Sequence, residues 1–366
     1  MSKRKIVISG INLFEGGPLT IYYDMLDMLI NMDYDKKYDI TCFVHRVSLF
    51  EKYRGNFSFI ELPRSRSSYL LRMYYEYIYF HRYSRKKDIY AWISLHDMTP
   101  NVKAERLFTY CHNPTPFLKP DKKFFRFSKS VFFMSLFYKH LYAINIKKNT
   151  AVIVQQKWLR DEFKKMYGIK NVIVAHPSVD VDVVKQERSQ SDNNKYKFFF
   201  PSFPRAFKNF EIICRAAAVL SKYSDEFEVW LTTDGSENKY SQYLRKTYQS
   251  VRSVRWIGLQ SRDEMIERYN SCDCVIFPSK LETWGLPIIE AKAYGKPILL
   301  ADLPYAHETV GSCRETSFFD PDNPKELAKL MLGCIRGTIR FKGNNDVIPD
   351  APYADNWREL IKMIVG

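Results

Sequence analysis

Short apolar runs recur along the whole chain, and each is followed by a stretch of mixed polarity at helical spacing. In the first half the runs are KIVISGI, YDITCFVH, AWISLH, RLFTYCH and AVIVQQ; in the second they are YKFFFPSF, FEVWLTTDG, VRWIGLQ, DCVIFPS and KPILLAD. Strand, helix, strand in repetition predicts parallel sheets joined by right-handed crossovers. One polar stretch, VVKQERSQSDNNKYK at 183–197, breaks the rhythm and reads as a linker. The expected fold is therefore α/β, with two doubly wound Rossmann-like domains facing a cleft. Residues 1–182 form the first domain, 183–197 the linker and 198–350 the second domain. Residues 351–366 form a terminal helix that packs back on the first domain. Ligands of such sheets sit beyond the carboxyl ends of the strands, so the segments after the apolar runs are where chemistry is expected.

Composition sharpens this picture in three places. At 366 residues the chain suits two domains rather than one. No apolar run approaches the roughly 20 residues that span a bilayer, and MSKRKIVISG reads as the approach to a first strand rather than as a secretory signal. The seven cysteines are scattered, which reads as reduced thiols in a cytoplasmic protein.

The net charge of +15 is unevenly placed: residues 1–200 hold 34 Lys and Arg against 19 Asp and Glu, while residues 201–366 hold 22 of each. The first half is thus expected to face something anionic, whether nucleic acid, a phosphorylated substrate or a membrane surface. Within it, residues 63–148 interleave Lys and Arg with bulky apolar residues, as in YYEYIYFHRYSRKK. That pattern fits a helix lying on an anionic membrane, and equally an amphipathic core helix with a solvated basic face.

The sharpest chemical signal is FPSKLETWGLPIIEAKAYGKPILL, from Phe277 to Leu300. DCVIFPS reads as a buried strand. PIIEAKAYG reads as a helix that starts near Pro287, with Glu290 in its first turn, and stops near Gly295. Trp284, Gly285, Leu286 and Pro287 form the turn between them. Gly285 and Leu286 would present unpaired backbone N–H groups at a helix N-terminus, a site that favours phosphate. Glu290 beside it can accept both hydroxyl hydrogens of a ribose diol. Glu282, in the preceding loop, points at whatever the phosphates carry. A capping acid and an exposed loop acid would explain either glutamate alone, but not the combination.

Three further constellations follow strands. In GINLFEGGPLT, Gly16 and Gly17 let a ligand approach the backbone closely. In YCHNPTPF, His112 stands at a strand end ahead of two prolines, where it is expected to be exposed and to donate to a sugar hydroxyl or a developing charge; His96 and Asp97 end another strand. In FFFPSFPRAFKNFE, Arg205 and Lys208 lie three apart near a helix start, where both cations can reach one diphosphate. No D-x-D pair falls where a diphosphate-bound metal needs it; DVD at Asp180–Asp182 lies beside the linker.

Read from Tyr269 to Pro297, these residues resemble the E-x7-E region of family-4 retaining glycosyltransferases of the GT-B fold. The resemblance extends to VRWIGLQSRDEMIERYNSCD, to GINLFEGGPLTIYYDML and to YCHNPTPF, in the family's order and over nearly the whole chain. It implies metal-independent, cofactor-free transfer of a hexose, mannose or similar, from a GDP- or UDP-linked donor. The implied acceptor is a glycan on a lipid carrier, in O-antigen or capsule synthesis at the inner face of the cell membrane. His112 matches the family's cleft histidine, and the loop of Gly16 and Gly17 the one facing donor and acceptor. Lys208 matches the diphosphate lysine, but Pro201 and Ser202 stand where the family's Gly-Arg would fall, and Arg205 comes later. The resemblance thus makes His112, Glu282, Lys208 and Arg205 catalytic. It assigns the donor to Gly16, Gly17, Arg205, Lys208, Trp284, Gly285, Leu286, Pro287 and Glu290. Two alternatives remain from the residues. One is a nucleic-acid-binding protein built on the basic aromatic half, against which stands the lack of any recognition motif; the other is a sugar-nucleotide epimerase of the same fold.

Overall fold

The computed structural model describes residues 3–119, 122–177, 181, 183–184 and 195–366. They form two compact units: residues 1–117, 135–178 and 349–366 make the first, and residues 118–134 and 179–348 the second. Most of the expected linker, 185–194, lies outside the described residues, as do Asp180 and Asp182 of DVD. The strand opening the second unit begins at Tyr196, two residues earlier than the sequence pattern placed that domain.

The first unit is built on eight parallel strands. In chain order they are β1 (Lys5–Gly10), β2 (Asp39–Val44), β3 (Ser58–Glu61), β4 (Ile89–Ser94), β5 (Arg106–Tyr110), β6 (Ala151–Val154), β7 (Val172–Ala175) and, from the returning C-terminal segment, β14 (Tyr353–Ala354). They lie in the order β14-β7-β6-β5-β4-β1-β2-β3. Every residue of β4, IYAWIS, is buried, as expected of a parallel strand covered on both faces. Alternate side chains serve alternate faces. Ile6, Ile8, Cys42 and Ile93 pack with Tyr22, Met25 and Leu26 of helix Gly16–Asn31 and with Leu360, Ile361 and Ile364 of helix Trp357–Val365. Val7, Phe43 and Trp92 pack on the other side with Phe80. The terminal helix is also pinned through its last carbonyls. Arg106 donates to Met363 O at 2.8 Å and Gly366 O at 3.1 Å, and the Tyr90 hydroxyl donates to Val365 O at 3.2 Å.

The basic aromatic tract divides in two. Residues 69–85 form one helical segment with a π-helical turn at Tyr75–Tyr79. Tyr79, Phe80 and Tyr83 pack their rings against Phe43 and Trp92. Leu70, Tyr74 and Ile78 face outward, Leu70 being 79% exposed. This part of the tract thus has a core side and an exposed apolar side on one helical segment.

The second unit's strands are β8 (Tyr196–Phe200), β9 (Phe227–Leu231), β10 (Val254–Trp256), β11 (Cys274–Phe277), β12 (Ile298–Ala301) and β13 (Thr316–Phe319), in the order β10-β9-β8-β11-β12-β13. The chain leaves β8 toward β9 on one side and arrives at β11 on the other, so the order reverses between β8 and β11. The crevice at such a reversal is where open α/β sheets bind ligands. All seven cysteines are free, and no helix among the described residues is long and apolar enough to cross a membrane.

Candidate active site

The loops leaving β8 and β11 emerge side by side at that reversal, and backbone bonds tie them. Lys280 N donates to Phe207 O at 2.8 Å, while the Tyr305 hydroxyl donates to Ser279 O at 2.7 Å. The first loop ends in a short 3-10 turn, Ala206–Lys208, followed by Asn209 in the left-handed region at φ 59°. Asn209 is held there by its side-chain amide, which donates to Pro321 O at 2.8 Å. Lys208 is thereby aimed at the second loop, and its Nζ lies 2.5 Å from Glu282 Oε1. Only 16% of the lysine side chain and 12% of the glutamate side chain are exposed. The ammonium also lies 5.5 Å from the centre of the Phe277 ring. Two residues 74 positions apart thus form one desolvated ion pair, with one carboxylate oxygen engaged and the other open.

Three residues further on, Gly285 adopts φ 87°, which only glycine takes without strain, and it opens helix Leu286–Ala293. A Cβ at this position would meet Ile288 Cδ1 at 3.2 Å and Phe277 Cε1 at 3.6 Å. The helix starts one residue before Pro287, so Pro287 is its second residue and Glu290 its fifth, just past the first turn. Glu290 is half-buried, and the Tyr269 hydroxyl donates to its Oε2 at 2.6 Å. Tyr294 stacks on that tyrosine with ring centres 5.2 Å apart. Burial, reinforced by the Glu290 charge, pushes the Tyr269 hydroxyl well above its ordinary value, so it stays a donor. Tyr269 orients the carboxylate and leaves Oε1 for a ligand. Sequence reasoning missed it; the tyrosine's place 21 residues before the glutamate carries no local signal.

Trp284 is buried, and its carbonyl accepts from the Thr309 hydroxyl, so it braces the turn from inside. Gly16 and Gly17 open helix Gly16–Asn31, with nothing within 4 Å of the position a Cβ would take at either, and Gly16 has φ 67°.

His112 is half-buried at the end of β5, less open than its place in the sequence implied. Its Nε2 lies 2.8 Å from Leu95 O, which can only accept, so Nε2 carries the proton and Nδ1 the lone pair. Burial holds the imidazole below its ordinary value despite nearby Asp97, so the ring is neutral at pH 7. It therefore accepts from a hydroxyl at Nδ1 rather than donating to one.

Asp97 organises this loop from φ 72°. One carboxylate oxygen accepts from His112 N at 2.6 Å, Asn113 N at 3.0 Å and the Tyr142 hydroxyl at 2.9 Å; the other accepts from Tyr138 at 3.3 Å. The sequence marks Asp97 only as a neighbour of His96. His96 itself is fully buried, with Nδ1 3.2 Å from Glu76 Oε1, and burial drives its pKa well down. It belongs to the interior rather than to the site.

Arg205 precedes the turn that carries Lys208, and its carbonyl accepts from Lys208 N at 2.8 Å. The side chains part company: the Arg205 guanidinium lies 5.8 Å from the Phe203 ring and lines a separate cavity. Among the described residues no group of three or more His, Cys, Asp or Glu is placed to hold a metal ion.

Residues 183–338, within the second unit, match the family model for Glycosyl transferases group 1. The chain is 22% identical over 217 residues to the O-antigen chain mannosyltransferase RfbU of Salmonella typhimurium, which covers 58% of this chain and 56% of that protein. It is 28% identical over 156 residues to the serotype-specific mannosyltransferase WbdA of Escherichia coli, covering 40% of this chain and 19% of that one. The chain thus spans about half, or less, of the length of these curated relatives.

Among solved structures, the apo form of the lipopolysaccharide outer core galactosyltransferase WaaB superposes with a TM-score of 0.66 at 13% identity, covering 93% of this chain and 92% of that one. HepE from Anabaena, in complex with UDP and glucose, superposes with a TM-score of 0.60 at 16% identity, covering 92% and 90%. Both sheets, of eight and six parallel strands, match these GT-B glycosyltransferases in fold.

Proposed function

We propose that this chain moves a hexose from a nucleoside-diphosphate sugar to a glycan acceptor in polysaccharide biosynthesis. The observation that carries the reading is the Lys208–Glu282 pair, set beside the N-terminus of helix Leu286–Ala293 and followed on that helix by Glu290. Group by group, this set fits a nucleoside diphosphate. The amides of Gly285 and Leu286 and the Lys208 ammonium take the phosphates. Glu290 Oε1 takes the ribose hydroxyls, and the open oxygen of Glu282 takes a hydroxyl of the transferred sugar. Likeness to RfbU and WbdA favours mannose as that sugar.

The reaction breaks the bond from the anomeric carbon to the diphosphate oxygen and forms one to an acceptor hydroxyl oxygen. Negative charge grows on the departing diphosphate, and Lys208 meets it at its greatest in the transition state. Retention follows if the acceptor enters on the face the diphosphate leaves, its proton passing to the departing phosphate. In the first unit, His112 is neutral with Nδ1 as its acceptor, so it can take a sugar hydroxyl there without adding charge. Lysine and helix amides together supply the neutralisation that a metal supplies elsewhere.

The exposed Leu70, Tyr74 and Ile78, flanked by Arg64, Arg66, Arg82, Arg85, Lys86 and Lys87, support a peripheral seat on an anionic membrane, where a lipid-linked acceptor resides. The test is a thermal-shift screen against GDP, UDP, TDP and ADP, followed by product analysis with the matching mannose or glucose donor. One selective stabiliser with transfer abolished in Lys208→Ala supports the reading; no stabilisation by any nucleotide overturns it.

A further inference from the structure

A cavity of about 370 Å³ lies within the second unit, apart from the Lys208–Glu282 pair. That volume is at the lower end of the range for small-molecule sites. Phe127, Ser128 and Ser130 line one wall, at and before the start of helix Lys129–Ala143, and Phe203, Arg205 and Phe207 of the loop after β8 line the other. Phe203 stands 45% exposed on its loop.

The polar groups around the cavity are unequal in what they leave free. The oxygen of Asn238 is occupied: it accepts from Tyr240 N at 2.9 Å and Ser241 N at 3.0 Å, and one amide hydrogen goes to Pro204 O at 2.8 Å. The Tyr240 hydroxyl donates to Glu211, and the other oxygen of Glu211 lies 2.5 Å from Lys123 Nζ. The Glu211 carboxylate is therefore paired on both oxygens and buried. What remains carries no negative charge: a guanidinium and two serine hydroxyls, one of which, Ser128 Oγ, also accepts from Val131 N at 3.4 Å. The Arg205 guanidinium is exposed, with no ion pair to an acid among the described residues. The Ser128 and Ser130 hydroxyls lie 3.1 Å apart at the N-terminal end of a 15-residue helix, where first-turn amides point outward.

A site for a neutral sugar needs acceptors as well as donors, since every hydroxyl brings a hydrogen to place. This one offers aromatic faces, a guanidinium and two hydroxyls, with no carboxylate among its described lining residues to balance the cation. The matching ligand has a ring whose C–H face stacks on phenylalanine and a substituent that is an anion.

We propose that this cavity is a saccharide subsite for a sugar bearing a carboxylate or phosphate, the acidic residue of the glycan acceptor. The ring rests against Phe203 and Phe207, and the anion meets Arg205 and the start of helix Lys129–Ala143. The inference rests on the glycosyltransferase reading for the word acceptor; the recognition of an acidic sugar stands on the cavity itself.

The experiment is saturation-transfer NMR on the full chain with methyl β-D-glucuronide, mannose 6-phosphate, methyl α-D-mannoside and inorganic phosphate as probes. The expected result is saturation of ring protons in at least one of the two anionic sugars, with the neutral mannoside at least five-fold weaker. Which anionic sugar binds tells carboxylate from phosphate. Phe203→Ala, which removes an exposed ring, and Ser130→Trp, which fills the cavity, each lower affinity for that sugar at least five-fold. Thermal stabilisation by GDP or UDP stays within two-fold of the parent in both variants. Equal binding of neutral and anionic sugars, indifference to both substitutions, or inorganic phosphate displacing the sugar with equal affinity overturns the proposal. Nucleotide stabilisation lost in both variants also overturns it, because the cavity would then be part of the donor site. Acidic-sugar binding that follows the two substitutions, in a protein that no nucleotide stabilises, upholds the subsite and sinks the transferase reading instead.

Discussion

At the residue scale each candidate polar group, in either unit, is steadied by a partner that the sequence does not advertise. Glu282 holds Lys208, Tyr269 holds Glu290, and Asp97 holds the backbone of His112. The roles of the two glutamates predict different defects. Glu290→Ala weakens nucleoside-diphosphate binding about ten-fold, roughly 1.4 kcal/mol, measured by calorimetry; unchanged affinity removes the ribose role. Lys208→Ala lowers turnover at least ten-fold while donor affinity stays within three-fold, because its contact strengthens as the glycosidic bond breaks. Equal losses in both reduce the lysine to a binding group.

Away from the site, Glu76 sits fully buried beside His96 and Arg72, and burial pushes its carboxyl up to about 8 although Arg72 pulls it down. A folded-state pKa raised above the unfolded value means the folded chain holds the extra proton. That contribution to stability is whole below about pH 4.5 and fades as pH rises through 8. Glu76→Gln carries no such proton, so its melting temperature relative to the parent climbs by several degrees between pH 5 and pH 8.5, as a pH series of thermal melts would show.

At the scale of elements, the start of helix Leu286–Ala293 and the bend in residues 69–85 carry the most meaning. Gly285 is left-handed and packed against Ile288 and Phe277, so two constraints fall on one residue. Gly285→Ala places a Cβ in a conformation that costs about 1–2 kcal/mol and turns the adjacent amides away from the phosphate. The expected outcome is a melting point a few degrees lower with nucleotide affinity down ten-fold or more; loss of stability alone would mean the amides do not bind phosphate.

In residues 69–85 the π-helical turn has a plain geometric effect. Positions four apart drift around a helix of 3.6 residues per turn, and a wider turn takes up that drift. Leu70, Tyr74 and Ile78 thereby stay on one exposed face while Tyr79, Phe80 and Tyr83 stay on the core. A helical pattern read from sequence finds the amphipathic character but not which rings are inside, because all of them are aromatic.

For the whole molecule, the excess charge of the first 200 residues and the apolar face of residues 69–85 act together or not at all. Co-sedimentation with vesicles containing phosphatidylglycerol should retain the chain at low salt and release most of it at 0.5 M salt. The double substitution Leu70→Glu and Ile78→Glu should lower retention at least five-fold at either salt. Retention by neutral vesicles equal to that by anionic ones would dismiss the electrostatic part.

The alternation of apolar runs and helical stretches is a local property, and it marked the α/β class and ten of the fourteen strands in the described residues; the short β3, β7, β13 and β14 escaped it. The E-x7-E segment is also local, since its eight-residue reach is that of one loop and one helix start, and so its turn, its glycine and its acids could be read directly. What sequence could not decide is which groups meet across long separations. The 74 residues between Lys208 and Glu282 and the 21 between Tyr269 and Glu290 are bridged by strand order in a sheet. The same holds for Arg205, three positions from Lys208 along the chain but facing another cavity. Periodicity fixes which way a residue faces within its own element; only packing fixes what it faces.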